Sequence, residues 1–302
     1  MDATTDTTYN AAAASSTGRG KAILVIKFML FTASIVPAIV AGAMAYSTGS
    51  FSLTSFILAG LGLLIGQAGG DYLYYYFTHR HTDPRDSHTK IFSGWKPFFT
   101  SALPEKHGTL IAGIVCLLID LAIGYYFFTL YGYTVLLLAL AGGLVAIFFT
   151  PLMLRGLKEP VVFVTFGPLS MLGMYFVMTG ELSYMPLLAS LPIASLVTIV
   201  AYLKGAKFDV KQEGDTQVVV NLNRNVIIYL TVSAYLSLVA LVAAGAMPGW
   251  TLAGLLTLPF ALSVLQVIRK QSSKMQNYLW AVVRSIFALL FTGVLIGIGY
   301  LI

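Results

Sequence analysis

Two stretches of this 302-residue chain gather most of its carboxylates. The first, residues 71–108, holds Asp71, Asp83 and Asp86 together with all four histidines of the chain. It follows Gly69 as GGDYLYYYFTHRHTDPRDSHTKIFSGWKPFF. If the backbone there is helical, Asp71, Tyr75, His79 and Asp83 fall four apart on one face. The second, KGAKFDVKQEGDTQVVVNLNR over residues 204–224, places Asp209 and Glu213 four apart, with Asp215 beyond them. Grouped carboxylates repel unless a cation lies between them. Mg²⁺ takes oxygen ligands and commonly joins one or two carboxylates to phosphate oxygens. The lysines and arginines that flank both stretches suit the remaining phosphate oxygens. Plainer readings compete at each position: a charged loop that is merely solvated, a tyrosine run at 72–76 that marks a membrane interface, and a His79–His81 pair that lacks a clear third zinc ligand.

The elements that must carry these stretches are apolar. Hydrophobic residues make up 58% of the chain and charged residues 10%, against about a quarter charged in a soluble domain. Mean hydropathy is +0.84. Nine apolar segments are predicted, at 22–46, 51–70, 109–131, 133–152, 160–179, 184–203, 226–246, 250–268 and 278–302. Each is near the length a helix needs to cross hydrocarbon while satisfying its own backbone hydrogen bonds. Prolines 37, 168, 192 and 259 lie inside these segments, where they kink a helix rather than end it. The expected fold class is therefore all-α, a polytopic bundle of nine transmembrane helices over residues 21–302. Residues 1–20, small and polar, read as a flexible tail.

The connections after segments 1, 3, 5 and 7 are very short and carry no lysine or arginine. Every basic residue except Lys27 and Arg284 lies in the tail or in the connections after segments 2, 4, 6 and 8. That asymmetry predicts a multi-pass cell-membrane protein with its N-terminus and both acidic stretches in the cytoplasm. It also accounts for the net charge of +6 without nucleic acid. The lone Cys116 excludes an intrachain disulfide. Both acidic stretches then hang from the same face, which suits a diphosphate on a lipid tail, its head at the surface and its tail between helices. Asp120 lies near the middle of the third segment. An acid inside a span is a functional candidate by default; with no obvious cationic partner, a packing or hydrogen-bonding role stays open beside it.

Three stretches read together resemble the UbiA superfamily of intramembrane prenyltransferases, most closely its menaquinone-type branch, the 1,4-dihydroxy-2-naphthoate prenyltransferases. GDYLYYYFTHRHTD followed by Phe92-Ser93-Gly94-Trp95 is similar to the branch's first aspartate motif and its Phe-Ser-Gly-Gly segment. FTPLMLRGLKEPVVFVTFGPL keeps the Arg-Gly-Leu, Glu and Phe-Gly-Pro positions in step as Arg155, Gly156, Leu157, Glu159, Phe166, Gly167 and Pro168. DVKQEGDTQVVVNLNR follows the order of the second aspartate motif. The first motif is degraded: Gly70 stands at the family asparagine, and Tyr74 or Tyr75 at the second aspartate. In the second motif Glu213 takes the distal aspartate, and Gly214-Asp215 the Gly-Lys pair.

The resemblance implies a nine-helix enzyme that moves an isoprenyl chain from a prenyl diphosphate to an aromatic acceptor, here a dihydroxynaphthoate. It implies Mg²⁺ on Asp71, Asp83, Asp209 and Glu213, with Asp71 and Asp209 catalytic. Charge and position assign the diphosphate to Arg80, Lys90, Arg155, Lys158 and Lys207, and an allylic cation to the ring faces of Tyr72, Tyr75 or Tyr76. A benzoate or glycerophosphate-lipid acceptor, a transporter and a non-catalytic prenyl-lipid binder are the alternatives. The sequence sets neither prenyl length nor oligomeric state.

Overall fold

The computed structural model describes residues 31–79, 103, 107–205, 207–211, 217–269 and 272–302, with the backbone path alone at 79, 207–211, 217–221, 269 and 272–276. Nine helices follow in chain order: α1 Thr32–Ser47, α2 Leu53–His79, α3 Gly108–Tyr131, α4 Tyr133–Leu154, α5 Lys158–Thr179, α6 Met185–Lys204, α7 Arg224–Ala243, α8 Leu258–Arg269 and α9 Met275–Leu301. A 3-10 segment, Gly249–Thr257, leads into α8. Eight of these stretches are long and apolar enough to cross a membrane, and α1 is a shorter apolar helix. The expected all-helical, multi-pass bundle is therefore present. The tail 1–20 lies outside the described residues.

The main core spans α1 and α5–α9 and reaches the end of α6 at Leu203. Helix α6 is its central column, with 72% of its apolar window buried, against 11% for α3 and for α4. Ile193, Leu196 and Leu203 of α6 pack with Val36 of α1, Met171 of α5, Leu238 of α7 and Ile286 of α9. In lipid such packing gains by close van der Waals approach, which small residues permit. Gly167 on α5 shows this: a methyl group there would overlap Ala194 of α6. Helix α5 is also where Pro168 acts. Lacking an N–H, it breaks the α-helical ladder, and Thr165–Leu169 widens into a π-helical turn instead of ending the helix.

Helices α2 and α3 pack antiparallel through glycines. A methyl on Gly69 would lie 3.1 Å from Cys116 Cβ, and one on Gly113 would lie 2.9 Å from a Leu73 side-chain carbon. The α3–α4 turn is Gly132 alone, at φ 68°, a left-handed conformation that an L-residue adopts only with strain. A small cluster of Phe127, Val135, Phe176 and Val177 fastens this turn to α5.

Outside the helices lies a small antiparallel sheet, which the sequence reading took as loop. Strand β1, Lys207–Lys211, pairs with β2, Gln217–Asn221, placing Asp209 opposite Val219. Strand β3, Ser272–Lys274, adds to β2 with Gln217 opposite Lys274. The run Val218-Val219-Val220 explains it, because β-branched side chains favour extended backbone.

Candidate functional site

One large cavity, of about 1070 Å³, lies among α1–α6. On α2 its wall is made by Ala59, Gly62, Leu63, Gly66, Gln67, Gly70, Asp71 and Tyr74. Those positions recur at spacings of three and four residues and so keep one helical face. The wall is apolar over most of its area, with Leu117, Ile123 and Phe127 from α3, Val135, Leu138 and Phe149 from α4, and Val197 and Val200 from α6. The charges collect where α6 ends and α5 begins, beside Asp71 of α2, eight residues before that helix ends: Asp71, Lys158, Glu159 and Lys204 all line that mouth.

The mouth is held by the unfinished end of α6. The last carbonyls of a helix have no intrahelical donor, and here neighbouring helices supply two. Lys158 Nζ donates to Ala201 O at 2.5 Å, a cation at the negative end of the helix dipole. The hydroxyl of Tyr278, fully buried on α9, donates to Leu203 O. A methyl on Gly205 would overlap Lys158 Nζ, so glycine leaves room for the ammonium. Asp71 and Lys204 attract one another across the mouth from α2 and α6. Glu159 lies close enough to Tyr202 to act on it electrostatically. The Asn223 N–H donates to Tyr202 Oη at 3.0 Å, pinning the start of α7, where the Asn223 side chain also accepts from Asn225 N at 3.0 Å. The Tyr74 ring meets Phe149 edge-on at 6.1 Å between centroids.

The residues singled out from sequence are distributed as follows. Asp71 lines the cavity, as does Lys158. Helix α2 does continue past residue 70, to His79. Four-residue steps drift around a helix of 3.6 residues per turn; Tyr74 lines the cavity beside Asp71, and Tyr75 is half-buried off the lining. Tyr72 and Tyr76 are buried, and Tyr76 Oη lies 3.3 Å from His107 Nδ1 at the start of α3. Arg155 is exposed at the end of α4, off the lining. Lys207 and Asp209 fall on β1, whose hairpin has Gly205 at one foot and Leu222 at the other, both on the cavity wall. Arg80, Asp83, Lys90 and Glu213 lie outside the described residues. Sequence reasoning missed Lys204, Glu159 and Tyr74. Lys204 had a signal, since it is the first charge after the long apolar run of α6 and so marks the depth of the interface.

Among the described residues, no three of His, Cys, Asp and Glu are gathered to hold a metal by themselves. Asp71 and Glu159 are nonetheless hard oxygen donors at one mouth. That donor chemistry fits a Mg²⁺ whose shell is completed by phosphate oxygens.

No curated protein matches the chain. The family model described as the UbiA prenyltransferase family matches residues 34–291, which takes in α2–α6 whole and all but the first two residues of α1. With that match over most of its length, the chain belongs to the UbiA prenyltransferase family, whose members are intramembrane prenyltransferases.

Proposed function

We propose that the cavity holds a prenyl diphosphate with its head at the charged mouth and its isoprenyl tail along the apolar wall, and that the chain is transferred to a dihydroxynaphthoate-like acceptor. The observation that carries this reading is a large cavity, greasy over most of its wall, whose charged groups other than Asp120 gather at one end. Lys158 and Lys204 supply cations to the diphosphate, and Lys158 is pre-positioned by its bond to Ala201 O. Asp71 holds Lys204 at the mouth and offers an oxygen ligand. Mg²⁺, when bound by Asp71 with Asp83, Asp209 and Glu213, would neutralise charge on the leaving diphosphate.

The allylic C–O bond breaks with its electron pair going to the diphosphate. A ring carbon of the acceptor then bonds to the allylic carbon, and the ring restores its aromaticity by losing the proton on that carbon. The Tyr74 ring lines the same wall as Asp71, and its face would stabilise the allylic cation. Leucine, isoleucine and phenylalanine walls exclude the water that would quench it. The menaquinone-type acceptor rests on the Arg155–Pro168 stretch. Orientation with this mouth in the cytoplasm of the cell membrane rests on the distribution of lysine and arginine.

The test is transfer from radiolabelled prenyl diphosphates to naphthoate, benzoate and glycerophosphate acceptors, with and without Mg²⁺. Mg²⁺-dependent product with the naphthoate is expected. Transfer to another acceptor would move the reading to that acceptor. Tight prenyl-diphosphate binding without release of diphosphate would make the protein a binder.

A further inference from the structure

Asp120 is the cavity's third acid beside Asp71 and Glu159, and it lies well inside its span. It is twelve residues from the start of α3 at Gly108, or about 18 Å along the helix. Its carboxylate rests on α2 where that helix is stripped to backbone on two successive turns. A methyl on Gly62 would come within 3.0 Å of Asp120 Oδ1, and a methyl on Gly66 within 2.9 Å of Oδ2. Gly66 and Gly62 precede Asp71 by five and nine residues on the same lining face, so the carboxylate sits about 8–14 Å deeper than Asp71. Nearby, the Ser34 hydroxyl donates to Gln67 Oε1 at 2.6 Å, and both residues line the cavity. A polar belt therefore crosses a greasy chamber part-way down.

No hydrogen bond or ion pair among the described residues engages Asp120; its electrostatic neighbour is Cys116, one turn away. A carboxyl at bilayer depth without a partner is costly. The chemistry of the cavity's occupants narrows what the partner is. An isoprenyl tail has no donor to offer. A prenyl diphosphate is a polyanion that offers no hydroxyl to donate. A carboxylate accepts hydrogen bonds, and the strongest neutral donor for it is an acidic hydroxyl.

We propose that Asp120 forms an acceptor subsite: it receives a hydrogen bond from a ring hydroxyl of the aromatic acceptor, fixing which ring carbon faces the allylic carbon near Asp71. The bond also leaves more electron density on the ring. This inference rests on the aromatic-acceptor reading above.

The experiment measures binding of 1,4-dihydroxy-2-naphthoate, and of its di-O-methyl ether, to the purified full chain by quenching of intrinsic fluorescence. The variants are Asp120→Leu, Asp120→Asn and Gly66→Ala, each checked for an unchanged melting profile, with Michaelis constants for both substrates measured in parallel. Asp120→Leu is expected to weaken naphthoate binding about tenfold or more, to leave the ether's affinity and the KM for prenyl diphosphate within about twofold, and so to abolish discrimination between hydroxyl and ether. Gly66→Ala, which displaces the carboxylate without removing it, is expected to act in the same direction. Unchanged naphthoate affinity in Asp120→Leu, equal loss for the ether, or a wild type that binds no hydroxylated ring would overturn the subsite. Asp120-dependent binding without any prenyl transfer would uphold the subsite and sink the transferase reading. Transfer that ignores Asp120 would do the reverse.

Discussion

Lys158 and Lys204 bring the same charge to the same mouth but are held differently. Lys158 is bonded to a backbone carbonyl, whereas Lys204 is opposed by the Asp71 carboxylate. Replacing Lys158 by methionine keeps the apolar stem and removes the ammonium. It removes the charged donor from Ala201 O, which keeps its bond from the Gly205 N–H at 3.2 Å, so about 0.5–1.5 kcal/mol of stability should be lost, read as a lower midpoint in detergent melts, together with a raised KM for prenyl diphosphate. Asp71 and Lys204 should behave as a pair. A double-mutant cycle to alanine is expected to show coupling of about 0.5–3 kcal/mol in stability, while Asp71→Ala alone lowers kcat by about 10²-fold or more. Additive stability losses would show that the two side chains act independently.

At the scale of elements, glycine decides how near two helices come. Gly167→Leu is expected to force α5 from α6 against Ala194, costing about 1–3 kcal/mol or more and lowering the melting midpoint. Unchanged melting would mean that α5 can shift without loss. The elements themselves were legible because membrane spans obey a length rule: α3 is predicted at 109–131 and found at Gly108–Tyr131, and α6 is predicted at 184–203 and found at Met185–Lys204. Two features were not. The β1–β2 hairpin lay hidden in a stretch read for its acids, although three consecutive valines carried the β signal. Tyr74 was passed over for Tyr75 because a strict four-residue stripe ignores the 3.6-residue turn. Asp71 was readable as a site residue because it is the first charge after the second apolar segment. Lys204 carried the same kind of signal and was passed over, and Asp120 was readable as a candidate inside a span; that both stand beside α2 was not readable, since which helices stand beside α2 is a property of the bundle and not of local spacing.

Across the whole molecule, the packed core and the cavity share α1, α5 and α6, and Val162, Met174, Val197, Val200 and Leu289 belong to both. Helices α2–α4 line the cavity but add no residue to the main buried core, so substitutions on their chamber faces can alter substrate choice without unfolding the core. Gly142 and Gly143 line the chamber, and a methyl on either meets no atom within 4 Å. Gly143→Phe should therefore be accommodated and should shorten the space for the tail. Product ratios from mixtures of geranyl, farnesyl and geranylgeranyl diphosphates are expected to shift toward the shorter chains, and an unshifted ratio would put the tail elsewhere.

Helices α3 and α4 have one more consequence. Leu117 and Phe127 of α3 face the chamber while Val115, Ile119 and Tyr126 are exposed; Leu138 and Phe149 of α4 face it while Leu137 and Phe148 are exposed. The partition between reactants and solvent lipid is thus a single helix thick. Acyl chains press on the same rods that bound the reaction space, so bilayer thickness becomes a control variable of turnover. Reconstitution in phosphatidylcholines of graded chain length should tune the rate through the α3–α4 pair, with no change in the charged groups at the mouth.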